Sequence, residues 1–387
     1  MLKKGNDTNL YLFKGPIWNL NFMDNIDPEY FNVDSKDPIL NDLFFQIVRN
    51  AIKTEDFEIN EISPEFMLSY LDKKSDEFLK EVIPEELKML RQFRGEQNRF
   101  RKRIREIWGE GLELLELLNW ISYEIGADFN QQERQNAAET NDFVFESLTH
   151  IHGRACQTSR EVVVLLENGF AAGANARWRT LHELAVTAFF IKKHGQVIAE
   201  RYMNHFHIDS LKGMRQYNEH IEELNYERYP DEDLEKLEQI RDQLKEKYGD
   251  EYVNDFGWAS PVLLNKDGTT NKNPNFSVIE KDVEIDHLRP FYRLASHSVH
   301  AHSKGLIFNI SNKLNSERVI SAGSTIFGLA DPGQLTAISL MQINTVLLCS
   351  RPTATRLVYA KAMQKLLQKI KDEFMKSHNR LENSQTD

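Results

Sequence analysis

The sequence predicts a mainly α-helical protein, a multi-helix bundle with an irregular N-terminal extension and one short β-hairpin. Glycine and proline are scarce, with 18 and 11 among 387 residues, which disfavours a turn-dense all-β fold. Apolar residues recur three or four positions apart over long stretches, as on the buried face of a helix. With 41% hydrophobic residues, the chain also has enough apolar material for a substantial core.

Residues 1–60 form the predicted N-terminal extension. They combine aromatic side chains with Asn, Asp and Pro and show no sustained helical period. We expect the aromatic residues to anchor this segment on the rest of the protein. Ser63 followed by Pro64 is typical of a helix start, so the helical domain is placed at 61–380, before a flexible tail at 381–387.

Four long helices are predicted in the first part of this domain. The longest runs from Pro84 to about Ile125 and carries an apolar stripe along one side. The next two cover about 141–167 and 171–193, because Asn168-Gly169 between them is typical of a helix end. A fourth helix covers about 199–225.

An acidic helical arm is predicted at 219–251, where thirteen acidic residues stand against five basic ones. Its helix begins at Pro230-Asp231. Glycine, proline and asparagine then predict a long irregular loop at 249–286, of the kind that forms functional lids or disordered insertions.

The last third of the chain returns to helices. One is expected at about 288–304, and residues 306–321 predict the short β-hairpin. Asp331-Pro332 and Pro352 then begin the two final helices.

The charge balance limits the possible classes of function. A formal net charge of −11 argues against a protein whose whole surface follows a nucleic acid backbone. A local basic segment nevertheless lies at 91–105, with seven Lys and Arg residues. It is a candidate contact for phosphate or for the acidic arm of another subunit, and a solvated helix face is the alternative.

The cellular compartment is predicted from cysteines and hydropathy. Cys156 and Cys349 are too few for a disulfide scaffold and fit a reducing cytoplasm, where they would pack as small core residues. The first residues lack the apolar run of a signal peptide, and no stretch of about 18 apolar residues predicts a membrane span. We therefore expect a cytoplasmic protein without a membrane partner.

The first candidate site lies on the third predicted helix, between Arg177 and Glu183. At about 100° per residue, Arg179, His182 and Glu183 share one face, whereas Arg177 lies about 140° from His182. Arg179 and Glu183 are also spaced as an ordinary intrahelical ion pair, which is the structural alternative to a functional site.

The second candidate site contains three histidines within six residues, between Ser296 and Lys304. In a helix, His297 and His300 share a face and Ser296 flanks His300. Imidazoles suit general acid–base chemistry or metal binding, although no zinc signature accompanies this group. A polar helix end with locally bonded histidines is the alternative.

A weaker group contains His205 and Asp209, four residues apart on one helical face, and solvated helix residues are the favoured interpretation. No phosphate-binding glycine loop, nucleophile elbow, Cys-x-x-Cys pair or kinase signature is present in the sequence. No cofactor is therefore expected.

Three segments of the sequence resemble a widespread bacterial family catalogued only as a domain of unknown function. They are Phe100 to Gly109, Ala172 to Glu183 and Tyr292 to His300. The resemblance covers about residues 85–350. It implies a helical fold with a polar site formed by Arg179, Glu183, Ser296, His297 and His300.

That family is similar to HEPN (higher eukaryotes and prokaryotes nucleotide-binding) proteins, many of which are metal-independent ribonucleases of toxin and antiphage defence systems. Their hallmark is Arg followed by four to six residues and then His, and Arg177 and His182 match it in spacing. The similarity implies RNA as a substrate and a homodimer as the assembly.

Three hypotheses follow. In the first, a cytoplasmic ribonuclease-like effector uses His182, His297 or His300 to take the ribose 2′-hydroxyl proton, while Arg177 or Arg179 stabilises charge on phosphorus. In the second, the protein is a non-catalytic sensing or binding module. In the third, a metal-dependent hydrolase uses His297, His300 and Glu183. A further partner protein could contact the acidic arm.

Overall fold

The computed structural model describes residues 64–221, 226–265, 267–300, 303–307 and 323–384. The mainly helical class is confirmed. Within these ranges no β-strand is formed, and the one extended pairing is an isolated antiparallel bridge between Leu264 and Thr270. The predicted N-terminal extension and almost all of the predicted hairpin lie outside the described residues.

The described ranges contain ten α-helices. They are α1 (Pro64–Thr140), α2 (Phe143–Glu167), α3 (Ala171–His194), α4 (Gln196–Glu219), α5 (Asp231–Tyr248), α6 (Phe276–Asp282), α7 (Arg289–Val299), α8 (Ser303–Ile307), α9 (Ala330–Ser350) and α10 (Ala354–Asn383). Short 3₁₀ helices lie at Asp250–Val253, Gly257–Val262 and Asp286–Leu288.

Helix α1 is longer at both ends than the sequence pattern predicted, because it contains Pro84 instead of beginning there. Proline lacks a backbone donor and usually starts or breaks a helix. Here strong helix formers, mostly Glu, Leu and Lys, flank it on both sides. The helix therefore continues through Pro84 and is 77 residues long in total.

The chain divides into two compact units, and the division falls within α1. The first unit contains residues 1–96 and 217–228, and the second contains 97–216 and 229–387. In the first unit, the described part of α1 exposes several large apolar side chains, and the ring of Tyr217 stacks on that of Tyr226. The candidate sites predicted from the sequence all lie in the second unit.

The main core of the second unit is built on the apolar stripe of α1. Its members recur three or four residues apart, as predicted, and they are buried: Ile104, Trp108, Leu112, Leu115 and Leu118. Side chains of α2, α3, α9 and α10 complete this core. Cys156 is free and buried in this core, which is the packing role that the sequence predicted, whereas the free Cys349 is only half-buried.

A chain of buried polar side chains joins α1, α2 and α9 inside this core. Asn344 donates to Ser122 Oγ over 2.7 Å, and its Oδ1 lies 2.9 Å from His152 Nε2. The imidazole of His152 lies directly against Gly126 of α1, where any Cβ would collide with the ring. Gly126 therefore makes room for a buried histidine.

A second apolar cluster covers the segment predicted as a long irregular loop. Tyr252 and Trp258, in the 3₁₀ helices, are buried together with side chains of α3, α4 and α5. Arg201 of α4 holds this segment by donating to the backbone carbonyls of Trp258 and Gly257 at 3.0 and 2.9 Å. The segment is thus largely packed, and it contains the helix α6.

The segment predicted as an acidic arm contains α5, which begins at Asp231 as expected. An ion pair between Arg215 and Glu238, and another between Glu200 and Lys247, connect α4 with α5. Leu244 packs into the second cluster. Helix α5 is therefore held along α4.

We predict that Gly126→Ala lowers the free energy of unfolding by about 1–3 kcal/mol, because the added methyl group overpacks the site against His152. Gly153→Ala is the matched control, since a Cβ at Gly153 in α2 meets no atom within 4 Å in the part of the chain that the structure describes. It should raise helix stability by up to about 1 kcal/mol. Urea denaturation measures both, and equal effects of the two changes would contradict this account of Gly126.

Because His152 is buried, we expect the stability of the protein to fall at acidic pH. Burial lowers the pKa of His152, although its hydrogen bond with Asn344 acts in the opposite direction. The neutral ring is thus favoured in the folded state. Its contribution to the free energy of unfolding is therefore present above about pH 6.5 and is lost as the pH falls below that value.

We predict that His152→Gln flattens the fall of melting temperature between about pH 6.5 and pH 5. His150→Gln, which removes an exposed imidazole of the same helix, is the control and should keep the wild-type slope. Parallel plots of melting temperature against pH for wild type and His152→Gln would refute this role of His152.

Candidate functional site

Helix α3 positions the first group of candidate residues. It begins after Gly169, which has a φ of 75° and lies so close to the Phe100 ring and the Thr325 backbone that a side chain would not fit. This glycine therefore permits both the turn and the close packing that fix the start of α3.

Arg177 lies on the side of α3 that faces α2. Its guanidinium forms an ion pair with Glu161 and lies 3.5 Å from Thr158 Oγ1. His182 bonds a different partner on another side of the helix, as the angle between the two positions predicted. The structure thus does not bring the Arg177 and His182 side chains together.

His182 is fully buried. Its Nε2 lies 2.7 Å from Oε1 of Glu280 on α6, which is also fully buried and forms an ion pair with Arg289. The imidazole packs among the rings of Trp178, Phe276 and Tyr292. In this state His182 joins helices and does not face solvent.

Arg179, Glu183, Tyr292 and His300 form a second cluster, which we call the surface cluster. Arg179 Nε donates to Glu183 Oε1 at 3.0 Å, and the Tyr292 hydroxyl donates to the same oxygen at 2.6 Å. Arg179 also lies over the Tyr292 ring at 4.7 Å, and its Nη1 is 3.3 Å from His300 Nε2. The two segments that carried the predicted polar site therefore meet.

The protonation states in the surface cluster favour these bonds. Burial and the hydrogen bond to Glu183 raise the pKa of Tyr292 to about 12, so its hydroxyl stays a donor near neutral pH. Burial tends to lower the pKa of Arg179, but Tyr292 and Glu183 outweigh it and raise the value. Because a guanidinium only donates, His300 Nε2 is the acceptor in its contact with Arg179.

The remaining predicted residues have local roles near this cluster. Ser296 Oγ donates to the carbonyl of Tyr292, one turn earlier in α7. His297 lies in the last turn of α7, where Gly305 packs closely against its backbone. His300 follows the end of the helix as its C-cap and is exposed.

His205 differs from the solvated position that the sequence favoured. It is buried, and its ring nitrogens contact the Asn254 carbonyl at 2.9 Å and Asp209 Oδ2 at 3.3 Å. It therefore connects α4 to the segment that follows α5.

The described residues contain neither a grouped set of metal ligands nor a membrane-spanning helix. Among them, no three His, Cys, Asp or Glu side chains are grouped to hold a metal ion. Within the same ranges, no helix combines the length and the apolar character needed to cross a bilayer.

The structure also contains a cleft that the sequence did not indicate. It lies between α1 and α2, has a volume of about 1310 Å³, and is lined by Trp120, Tyr123, His152 and Arg160 among others. Trp120 and Tyr123 remain 60% and 59% exposed. Gly153 also lines the cleft, and a Cβ there would meet no described atom within 4 Å.

These features define an all-helical protein with a polar cluster at the meeting point of two helices. Residues 145–317 match the model of DUF5677, a family of unknown function. The matched range is less than half of the chain and includes every residue of the surface cluster. Among curated proteins and solved structures, none matches this chain significantly.

We predict that Glu280→Gln lowers the free energy of unfolding by about 3 kcal/mol, because it leaves the Arg289 guanidinium without its buried carboxylate and weakens the bond to His182. Glu284→Gln is the matched control, since Glu284 is an exposed carboxylate in the turn after α6. Chemical denaturation distinguishes them, and an unchanged midpoint for Glu280→Gln would be inconsistent with this role.

Proposed function

We propose that the protein is a metal-independent ribonuclease of the bacterial cytoplasm, an effector of a toxin or antiphage system, in which Arg179 and His300 act directly on RNA. The supporting observation is the 3.3 Å contact between Arg179 Nη1 and His300 Nε2 at an exposed position. A fixed cation beside a histidine that accepts a hydrogen bond is the minimum set for cleavage through the ribose 2′-hydroxyl.

The proposed reaction needs no metal ion. His300 takes the proton of a 2′-hydroxyl, and the 2′-oxygen attacks the adjacent phosphorus. The bond from phosphorus to the 5′-oxygen breaks, the 5′-oxygen takes a proton from water, and a 2′,3′-cyclic phosphate remains. Arg179 stabilises the negative charge that develops on the phosphate oxygens.

Glu183 and Tyr292 act as positioning residues in this proposal. Glu183 holds the Nε side of the Arg179 guanidinium, and Tyr292 supports its face. The Nη1 side stays directed toward His300, where a phosphate would bind. This arrangement would reduce the reorganisation needed when charge develops.

The proposed catalytic pair, Arg179 and His300, is not the pair that matches the HEPN spacing, Arg177 and His182. The imidazole of His182 is buried against Glu280, and the guanidinium of Arg177 is paired with Glu161. Using that pair would require unpacking α6 and rotating Arg177 away from its partner. Arg179 and His300 need only give up the hydrogen bond between them, so that Nη1 donates to the phosphate and Nε2 accepts the proton.

A non-catalytic sensing or binding module is the second candidate. The observation in its favour is that Glu183 receives hydrogen bonds from both Arg179 and Tyr292 and thereby connects α3 with α7. In that case Glu183→Ala should lower the melting temperature by several degrees, about 1–3 kcal/mol of stability, without any RNA being cleaved.

The decisive experiment incubates purified protein with a defined RNA in excess EDTA. We expect cleavage that leaves a 2′,3′-cyclic phosphate. His300→Gln and Arg179→Ala should each slow it by about 10²–10⁴-fold. His300 is exposed, so circular dichroism and melting temperature of His300→Gln should match the wild type.

His150→Gln, an exposed histidine on α2, is the control and should retain full activity. An RNA with a single 2′-deoxy residue at the cleaved position should resist the enzyme, because the nucleophile is missing. Intact RNA with the wild type, or equal cleavage by His300→Gln, would overturn the proposal.

A further inference from the structure

One exposed face of α1 carries an ordered series of charges. Its residues, which we call the α1 stripe, recur three or four positions apart and so share one side of the helix: Lys102, Arg105, Gly109, Glu113, Glu116 and Trp120. The five with side chains are all exposed, and all six belong to the second unit.

The charges of the α1 stripe are arranged symmetrically about Gly109. Lys102 and Glu116 each lie seven residues from it, and Arg105 and Glu113 each lie four residues from it. Within the α1 stripe, the two members before Gly109 are basic, and the next two members after it are acidic. A stripe with this order is complementary to its own reverse.

We propose that the α1 stripe is the interface at which a second copy of this chain docks, with the two α1 helices antiparallel and crossing at Gly109. A two-fold axis at that point places Lys102 opposite Glu116 of the partner subunit and Arg105 opposite Glu113 of the partner subunit. Since each pair occurs twice, the interface contains four complementary charge pairs.

Gly109 supports this assignment because packing within the described part of the chain does not explain it. A Cβ at this position would meet no atom of the described residues within 4 Å. A helical glycine costs about 1 kcal/mol relative to alanine, so its presence on an open face calls for another reason. Close approach of a second helix backbone at the crossing point supplies one.

Aromatic residues at the end of the stripe add apolar surface to the interface. Trp120 is 60% exposed and lies beside Leu117, which is 45% exposed. In the antiparallel arrangement, Trp120 lies level with position 98 of the partner subunit, within the basic segment 91–105, where cationic side chains suit an aromatic ring. Trp, Tyr and Arg are the residue types that interfaces favour.

The electrostatics of this face distinguish a second copy from a nucleic acid strand. Glu113, Glu116 and Glu124 surround Trp120 on α1 with exposed carboxylates, which would repel phosphates along this part of the helix. Lys102 has no ion-pair partner within 4 Å among the described residues, and the same holds for Glu113 and Glu116. Arg105 pairs with Glu167 but remains 69% exposed. Lys102, Glu113 and Glu116 are thus available to a second copy, whereas Arg105 must share its guanidinium between Glu167 and the second copy.

Charge reversal tests the interface. Sedimentation velocity at about 10 µM should show a dimer for the wild type and monomers for two variants, Glu113→Lys/Glu116→Lys and Lys102→Glu/Arg105→Glu. The first variant has a wholly basic stripe and the second a wholly acidic one. An equimolar mixture of the two should therefore form a heterodimer, because all four charge pairs are complementary again.

Two further variants separate the interface from general effects of charge and folding. Asp128→Lys/Glu139→Lys replaces two carboxylates of α1 outside the α1 stripe by lysine, as Glu113→Lys/Glu116→Lys does within it. This control should remain dimeric. Gly109→Leu should be monomeric while its melting temperature stays the same or rises, because the side chain blocks the crossing and favours the helix.

A monomeric wild type would overturn the proposal. So would two reversal variants that fail to associate when mixed although circular dichroism shows both to be folded. Loss of RNA affinity in the reversal variants without any change in mass would instead assign the α1 stripe to a nucleic acid. These measurements do not depend on catalytic activity, so their outcome is separate from that of the ribonuclease test.

Discussion

The buried hydrogen bond between His182 and Glu280 is the contact on which the geometry of the candidate site depends. It joins α3 to α6, and the second oxygen of Glu280 pairs with Arg289, the first residue of α7. The start of α7 is therefore tied to α3, and Tyr292 lies within one turn of that point. A hydrogen bond hidden from solvent thus determines where an exposed pair of residues meets.

Helix α3 makes different contacts on each of its sides. Toward α2 it presents Arg177, which pairs with Glu161. Toward α6 and α7 it presents His182 and Glu183. A helix that is surrounded in this way cannot rotate or slide without breaking several charged contacts at once. Such a helix is a rigid base for the exposed edge, where Arg179 and His300 are able to contact a ligand.

The parts of this structure that sequence could predict are those with a local pattern. The apolar stripe of α1 and the four-residue spacing of Arg179 and Glu183 follow from helical geometry. The pairing of His182 with Glu280 spans 98 positions, and no local pattern indicates it. Likewise, the loop-like composition of 249–286 conceals buried aromatic residues, because the Arg201 side chain that satisfies their backbone lies on a distant helix.

The contact between Gly126 and His152 has a consequence for evolution of the sequence. The two positions occupy one volume inside the core, so the size of one limits the size of the other. A related protein with a larger residue at the first position would need a smaller one at the second, and it would then lose the imidazole N–H that donates to Asn344 Oδ1. Correlated replacement at three positions on three helices would therefore be the trace that this buried glycine leaves in a family of sequences.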